Sequence, residues 1–279
     1  MRVIEGLDFS KGYTQIGEPL NLHEAGRPWW ANVYARQRSG HDSMGLVLGA
    51  TTWMIELMRR NTSHVFAADM NETMIHRAES ELTGAPVETK GTVEFIQSDW
   101  LALPDFSRPF DVIFGDNSFS FLPYPKGWFD LADELADRMQ TGATLMVRFL
   151  SMPPAHCPLT VDEIVEGFLQ LTSINYTAVR TALLFAHWNR TNYSIDTERV
   201  CETFERERKK FNRLFQKFPL TPDNDLITVK KYKNSGAVYY APPLADALDA
   251  LEQRFRITGV HFGPYAMGQH FPLVVASRK

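Results

Sequence analysis

The chain has 279 residues, 44% of them apolar, enough to bury a large core in one domain or in one domain carrying a sizeable insertion. Its formal charge of −4, from 29 basic and 33 acidic residues, gives no electrostatic reason to expect a phosphate backbone or an anionic membrane as partner, so no nucleic acid is expected and a small molecule is. Two cysteines, Cys157 and Cys201, suggest neither a disulfide framework nor a four-ligand metal site, no apolar run approaches the roughly 18 residues of a bilayer span, and MRVIEGLDFS lacks the order of a signal peptide. A cytoplasmic location is the expectation, with a homo-oligomer left open.

In chain order, residues 1 to about 40 carry Gly12, Gly17, Pro19, Gly26 and Pro28 and predict loop with one short helix from Pro28 through Arg38. Regular alternation begins at Met44. MGLVLGA predicts a buried parallel strand, followed by a helix over Thr52–Arg60; HVFAAD (64–69) predicts a second strand and residues 70–82 a second helix. VEFIQSD (93–99) and FDVIFGD (110–116) predict the third and fourth strands. Lys126–Gln140 predicts a helix with an apolar stripe of Leu131, Leu135 and Met139, and TGATLMVRFL (141–150) a fifth strand after a glycine turn.

Near Pro153–Pro154 the alternation stops, and from Thr160 to Phe218 the sequence reads as helices with no convincing strand: VDEIVEGFLQL, SINYTAVRTALLFAHWNR, then one long helix DTERVCETFERERKKFNRLFQKF ended by Pro219 and Pro222. A helix over 242–255 and two closing strands, RITGVHFGPYA and HFPLVVASRK, complete the chain. The expected fold is α/β, a doubly wound, mostly parallel seven-stranded sheet whose final pair is partly antiparallel, with a helical cap insertion. The expected division is residues 1–43 as part of a lid, 44–152 with 233–279 as the sheet domain, and 153–232 as the cap.

Chemistry-bearing residues gather at the carboxyl ends of the predicted strands, where an open sheet of this kind holds its ligand. Gly49 follows the first strand and lets the backbone turn closely under a ligand, with Ala50 and Thr51 small beside it. Asp69 stands twenty residues later at the end of the second strand, next to Met70, where a carboxylate can accept both hydroxyl hydrogens of a ribose. Capping of the following helix is the plain structural role for the same residue. Asp99 ends the third strand; its carboxylate suits an adenine amino group, with Trp100 or Ile96 over the base, or else it is a turn residue. Asp116 and Asn117 end the fourth.

LVLGATTWM, AADMNETMI, FIQSDWLALP, PFDVIFGDNSFSFLPYP and MQTGATLMVRFL together resemble the class I S-adenosylmethionine (SAM)-dependent methyltransferases, in particular an atypical bacterial group that also includes SAM cyclases making azetidine-2-carboxylic acid. The resemblance spans residues 44 to 152 and more faintly 233 to 279; it departs where the family has further glycines and this chain has Ala50, Thr51 and Trp53. It implies SAM as cofactor, bound by Gly49, Ala50, Thr51, Asp69, Met70, Asp99, Trp100, Asp116 and Asn117. NAD(H) is the rival ligand on such an architecture, disfavoured by Asp99 and by the single glycine of the first loop.

A sulfonium gains from aromatic faces at about 0.5–2 kcal/mol each when desolvated. Trp29, Trp30, Tyr34, Phe119 and Tyr124, with Tyr176 and Tyr193 in the cap, are candidates, packing of the cap being the plain alternative. Tyr13, Asn117, Asn192 and Tyr193 are candidates for the methionine end or an acceptor, and His187 for a base on the helix face of Arg180. The catalytic set is thus Tyr176, Asn192, Tyr193 and His187. Arg148 and Arg180 suit a carboxylate, or internal salt bridges. The eight histidines show no paired spacing, and no metal is assigned. Three functions follow: methyl transfer to a small acceptor, cyclisation of SAM itself with loss of methylthioadenosine, or SAM binding without turnover.

Overall fold

In the computed structural model the described residues are 22, 25–36, 43–83, 91–152, 157–219, 229 and 233–279. The strands β1 (Met44–Leu48), β2 (His64–Asp69), β3 (Thr92–Gln97), β4 (Phe110–Asp116) and β5 (Met139–Arg148) alternate with helices α2 (Thr52–Arg59), α3 (Glu72–Thr83) and α4 (Lys126–Asp137). α1 (Gly26–Tyr34) precedes them. After β5 come α5 (Val161–Leu169), α6 (Tyr176–Ala186), β6 (Ser194–Asp196), α7 (Thr197–Arg206), α8 (Arg208–Lys217) and β7 (Val238–Tyr240), then α9 (Leu244–Glu252), β8 (Phe255–His261) and β9 (Leu273–Arg278).

Seven strands form one sheet in the order β3-β2-β1-β4-β5-β9-β8. β1 to β5 are mutually parallel, and β9 lies antiparallel between β5 and β8. The expected mostly parallel seven-stranded sheet with flanking helices is therefore present. Strand order reverses between β1 and β4, where Leu48 pairs with Gly115, so the crevice of the fold opens beyond those two residues.

Period-two alternation sorts the side chains. Leu46 and Leu48 point into one core with Ile113, Leu145, Val147 and Val274, covered by Trp128, Leu131 and Leu135 of α4 and Ala247, Ala250 and Leu251 of α9. Val47 points the other way, into a core with Val65, Ala67, Val112, Phe114 and Val275, covered by Met54, Ile55 and Met58 of α2 and by α1. α1 begins two residues earlier and ends four earlier than expected. Its Trp30 and Tyr34 lie in this core, edge-on to Phe114 at 5.7 and 4.8 Å, with Trp30 also edge-on to Trp53.

Two expectations for the insertion need correction. β6 pairs antiparallel with β7 in a separate two-stranded sheet, so the segment does contain a strand. Three residues without an apolar run carry no alternation; the strand exists through its partner. The single long helix is two, α7 and α8, separated at Glu207. α5 to α8 share their own core of Ile164, Val165, Val179, Leu183, Val200, Phe204, Phe211 and Leu214, joined to the sheet end through Leu150, Met152 and Phe271. Local sequence fixes these helix starts: Thr160 and Glu163 form a reciprocal capping box on α5, Asn175 caps α6, and Asp196 caps α7.

Gly91 enters β3 by crossing the turn between α2 and β2. A Cβ there would stand 2.3 Å from the Thr62 carbonyl oxygen, with the Arg59 and Ser63 carbonyls at 3.1 and 3.2 Å. All three obstacles are backbone, so Gly91→Ala is expected to destabilise the fold by about 1–3 kcal/mol, measured by urea unfolding.

Candidate functional site

Beyond β1 the chain turns at Gly49, whose φ of +106° is open to glycine at little cost and strained for other residues. The turn is fixed from both sides of β2. The Gly49 amide donates to the Ala68 carbonyl at 2.7 Å, and the Ala50 amide donates to Asp69 Oδ2 at 3.0 Å. From the far side Arg77 Nη2 donates to the Ala50 carbonyl at 2.9 Å, while Arg77 also pairs with Glu81. Thr52, opening α2, hydrogen-bonds the same Glu81. Ala50 itself packs on Met74, Ile75 and Ala78 of α3.

Asp69 does not cap α3. Its Oδ1 accepts the Asn71 amide at 2.9 Å, and it is Asn71 Oδ1 that accepts from Thr73 and Met74 at the helix start. Burial pushes the Asp69 carboxyl above the ordinary aspartate range, opposed by the Asn71 and Ala50 amides and by Arg77.

The Trp100 indole lies beside this turn. Its Nε1 donates to the Ala68 carbonyl at 2.7 Å, so one oxygen takes both the Gly49 amide and the indole. A Cβ on Gly49 would be 3.8 Å from Asp69 Oδ2 and 3.9 Å from the Trp100 ring. Thr51 Oγ1 is at the same 3.8 Å, so the glycine turn faces a carboxylate, a hydroxyl and an aromatic ring. Asp99 Oδ1 accepts the Leu101 amide at 3.0 Å, an Asx turn that leads the chain away from β3. The half-buried Met70 offers its carbonyl to Gln97 Nε2. Gly49, Ala50, Asp69 and Trp100 are thus brought together by direct contacts.

Asp116 has a different neighbour. Arg148 grips both its oxygens, Nε to Oδ1 at 2.7 Å and Nη2 to Oδ2 at 2.9 Å, and donates through Nη1 to the Tyr265 hydroxyl at 3.2 Å. The two side chains are 0% and 6% exposed. Burial alone would lower the guanidinium pKa; the Asp116 carboxylate and Tyr265 outweigh it and raise it. Asn117 follows in the left-handed region, φ 60°, with its amide on the Arg148 carbonyl. Tyr265 meets Trp29 edge-on at 6.1 Å, which carries the network to α1.

The remaining expected residues divide. Phe119 is fully buried against Trp128, in the core rather than at the rim. Tyr124 and Tyr193 meet at 5.4 Å, Tyr193 stacks on Trp188 at 5.9 Å, and Tyr193 donates to Asp246 Oδ2 at 2.7 Å. That bond and burial push the Tyr193 phenol up to about 12. Tyr176 is buried between α6 and α8, its hydroxyl on the Leu214 and Phe218 carbonyls. Asn192 Oδ1 accepts the Ser194 amide and hydroxyl in a local turn. His187 ends α6, where burial, then Arg199 and Arg206 of α7, lower its pKa. Arg180 is buried in α6. Tyr13 lies outside the described residues.

Sequence reasoning passed over Arg77, Trp188, Asp246 and Tyr265, and also Phe121, which stands between Trp100 at 6.5 Å and Tyr239 of β7 at 5.2 Å and packs against the core of the insertion, so linking the glycine turn to it. None carries a local signal, since each acts through a partner distant in sequence. Among the described residues no group of three His, Cys, Asp or Glu is placed to hold a metal ion, and no helix is long and apolar enough to cross a membrane.

Residues 46–142 match the methyltransferase domain family model. The strand order above, with β9 antiparallel beside β5, matches the topology of the class I methyltransferase fold. Similar solved structures include a SAM-dependent methyltransferase from Methanosarcina mazei, 14% identical, covering 88% of this chain and 96% of its own, TM-score 0.55. The N-methyltransferase NodS from Bradyrhizobium japonicum, in complex with S-adenosyl-L-homocysteine, is 11% identical over 98% and 99% of the two chains, TM-score 0.52. A Rhodobacter sphaeroides protein named for Zn-dependent alcohol dehydrogenases is 12% identical over 97% of each chain, TM-score 0.58. At these identities the likeness is one of fold. No curated protein matches the sequence.

Proposed function

We propose that the chain is an enzyme that binds SAM at the turn formed by Gly49, Asp69 and Trp100 and transfers its methyl group to a small acceptor held beneath the helical insertion. The observation that carries this reading is the convergence of the Gly49 turn, the Asp69 carboxylate and the Trp100 ring at the carboxyl ends of β1 and β2, in a segment that matches the methyltransferase domain model. Bound SAM supplies a methyl group already activated by a sulfonium leaving group, so the protein has to align, desolvate and hold.

Asp69 accepts the ribose hydroxyls, prepared by the Ala50 and Asn71 amides that fix its orientation. Trp100, locked by its bond to Ala68, offers an apolar face to the adenine, and Asp99 at the end of β3 takes the adenine amino group. Residues 153–232 act as the cap, and Phe121, beside Trp100, packs against its core.

Incubation with SAM and a panel of small acceptors, with the nucleoside product identified by mass, tests the reading. S-adenosylhomocysteine that appears only with an acceptor is the expected result. Methylthioadenosine from SAM alone would replace methyl transfer by internal displacement, and absence of SAM binding by calorimetry would remove the whole proposal.

A further inference from the structure

Three chain segments that are far apart in sequence converge on one carboxylate. Asp246 lies in the first turn of α9, Tyr124 in the connection from β4 to α4, and Trp188 and Tyr193 between α6 and β6. β9 is antiparallel to both β5 and β8, so β8 runs with β1, and a helix leading into such a strand starts at the carboxyl edge of the sheet. Asp246 and Tyr124 therefore stand at the same edge as Asp69, on the other side of the β1–β4 switch.

Asp246 is half-buried and has no ion-pair partner among the described residues. Two hydroxyls reach it, Tyr193 donating to Oδ2 and Tyr124 to its main-chain carbonyl at 3.2 Å, and the rings of Tyr124 and Trp188 pack on that of Tyr193. Asp249 adds negative potential at Tyr124. Trp188 is itself fixed, its Nε1 on the Ala241 carbonyl at 3.0 Å. Tyr193 is kept at φ 60°, a conformation rare for an aromatic residue, and this places its ring between Trp188 and Tyr124.

Ring faces carry negative electrostatic potential, and a carboxylate without a counter-charge adds to it; the group that complements both is a cation without strong directional demands. We propose that Tyr124, Tyr193, Trp188 and Asp246 recognise an ammonium group on the acceptor substrate. The assignment rests on the reading of the sheet's carboxyl edge as the place of methyl transfer, and it narrows the acceptor class to amines, protonated or quaternary at the recognised nitrogen.

Tetramethylammonium chloride and tert-butanol, near-isosteric and differing in charge, test it by titration into the full chain with saturation-transfer NMR. Wild type should bind the cation at least about tenfold more tightly than the alcohol. Asp246→Asn and Tyr193→Leu should each bring that ratio close to one while SAM affinity is retained. Equal binding of the two probes by wild type, or selectivity unchanged by Asp246→Asn, overturns the assignment. Should either variant fail to fold, the wild-type ratio decides. The probe titration needs no SAM, so a protein that selects the cation yet ignores SAM would sink the methyltransferase reading and leave the cation site standing.

Discussion

Arg148→Met is expected to lose about 3–5 kcal/mol of folding stability, because it leaves the Asp116 carboxylate buried with its charge uncompensated. The Arg148–Asp116 pair sits at the adjacent ends of β5 and β4, and its guanidinium lies 5.2 Å over the Phe271 ring, so water has little room to replace the lost partner. Removing both charges should cost less than removing one. The double variant Asp116→Asn with Arg148→Met is therefore expected to be more stable than Arg148→Met alone, and urea unfolding of these two, Asp116→Asn and the wild type closes the cycle that gives the coupling. A double variant as unstable as the single would mean that the pair contributes packing rather than charge compensation.

Asp69→Asn should weaken SAM binding by about tenfold or more while the protein stays folded, since an amide can accept only at one atom where two hydroxyls donate. The pH dependence follows from the same group. The ionised carboxylate is the form that accepts both hydroxyls, and burial raises its pKa above the ordinary value of 3.8. Acidification therefore protonates it earlier than an exposed aspartate, and SAM affinity should fall on the acid side at a pH above 3.8, with that dependence absent in Asp69→Asn. The sign for folding is opposite: a carboxyl whose folded pKa is raised favours the native state at low pH and loses that contribution as pH rises through the folded value. Calorimetric titration of both proteins across pH separates the two. A wild-type affinity that holds constant on acidification would remove Asp69 from the ribose.

Much of the sheet was legible because buried parallel strands are short apolar runs ended by polar residues. HVFAAD and FDVIFGD coincide with β2 and β4, and Gly49 and Asp69, singled out by spacing, stand side by side at the ends of β1 and β2. β6 was hidden because its partner strand lies more than forty positions away, and the break between α7 and α8 because Glu207 is as good a helix former as its neighbours. Aromatic composition supplied candidate rings without saying which of them only pack a core. Trp30, Tyr34 and Phe119 are held in the core by other rings, whereas Tyr124 and Tyr193 meet at the edge beside Asp246, a residue whose sequence context reads as an ordinary helix first turn. Tyr176 and His187 follow the cap's internal packing, which no spacing rule reveals.

The placement of β9 between two strands made before it has a bearing on biosynthesis. β8 has a single neighbour in the sheet, and that neighbour is translated later. Until β9 is in place the facing edges of β5 and β8 both lack partners, and the sheet becomes continuous only when β9 threads between them.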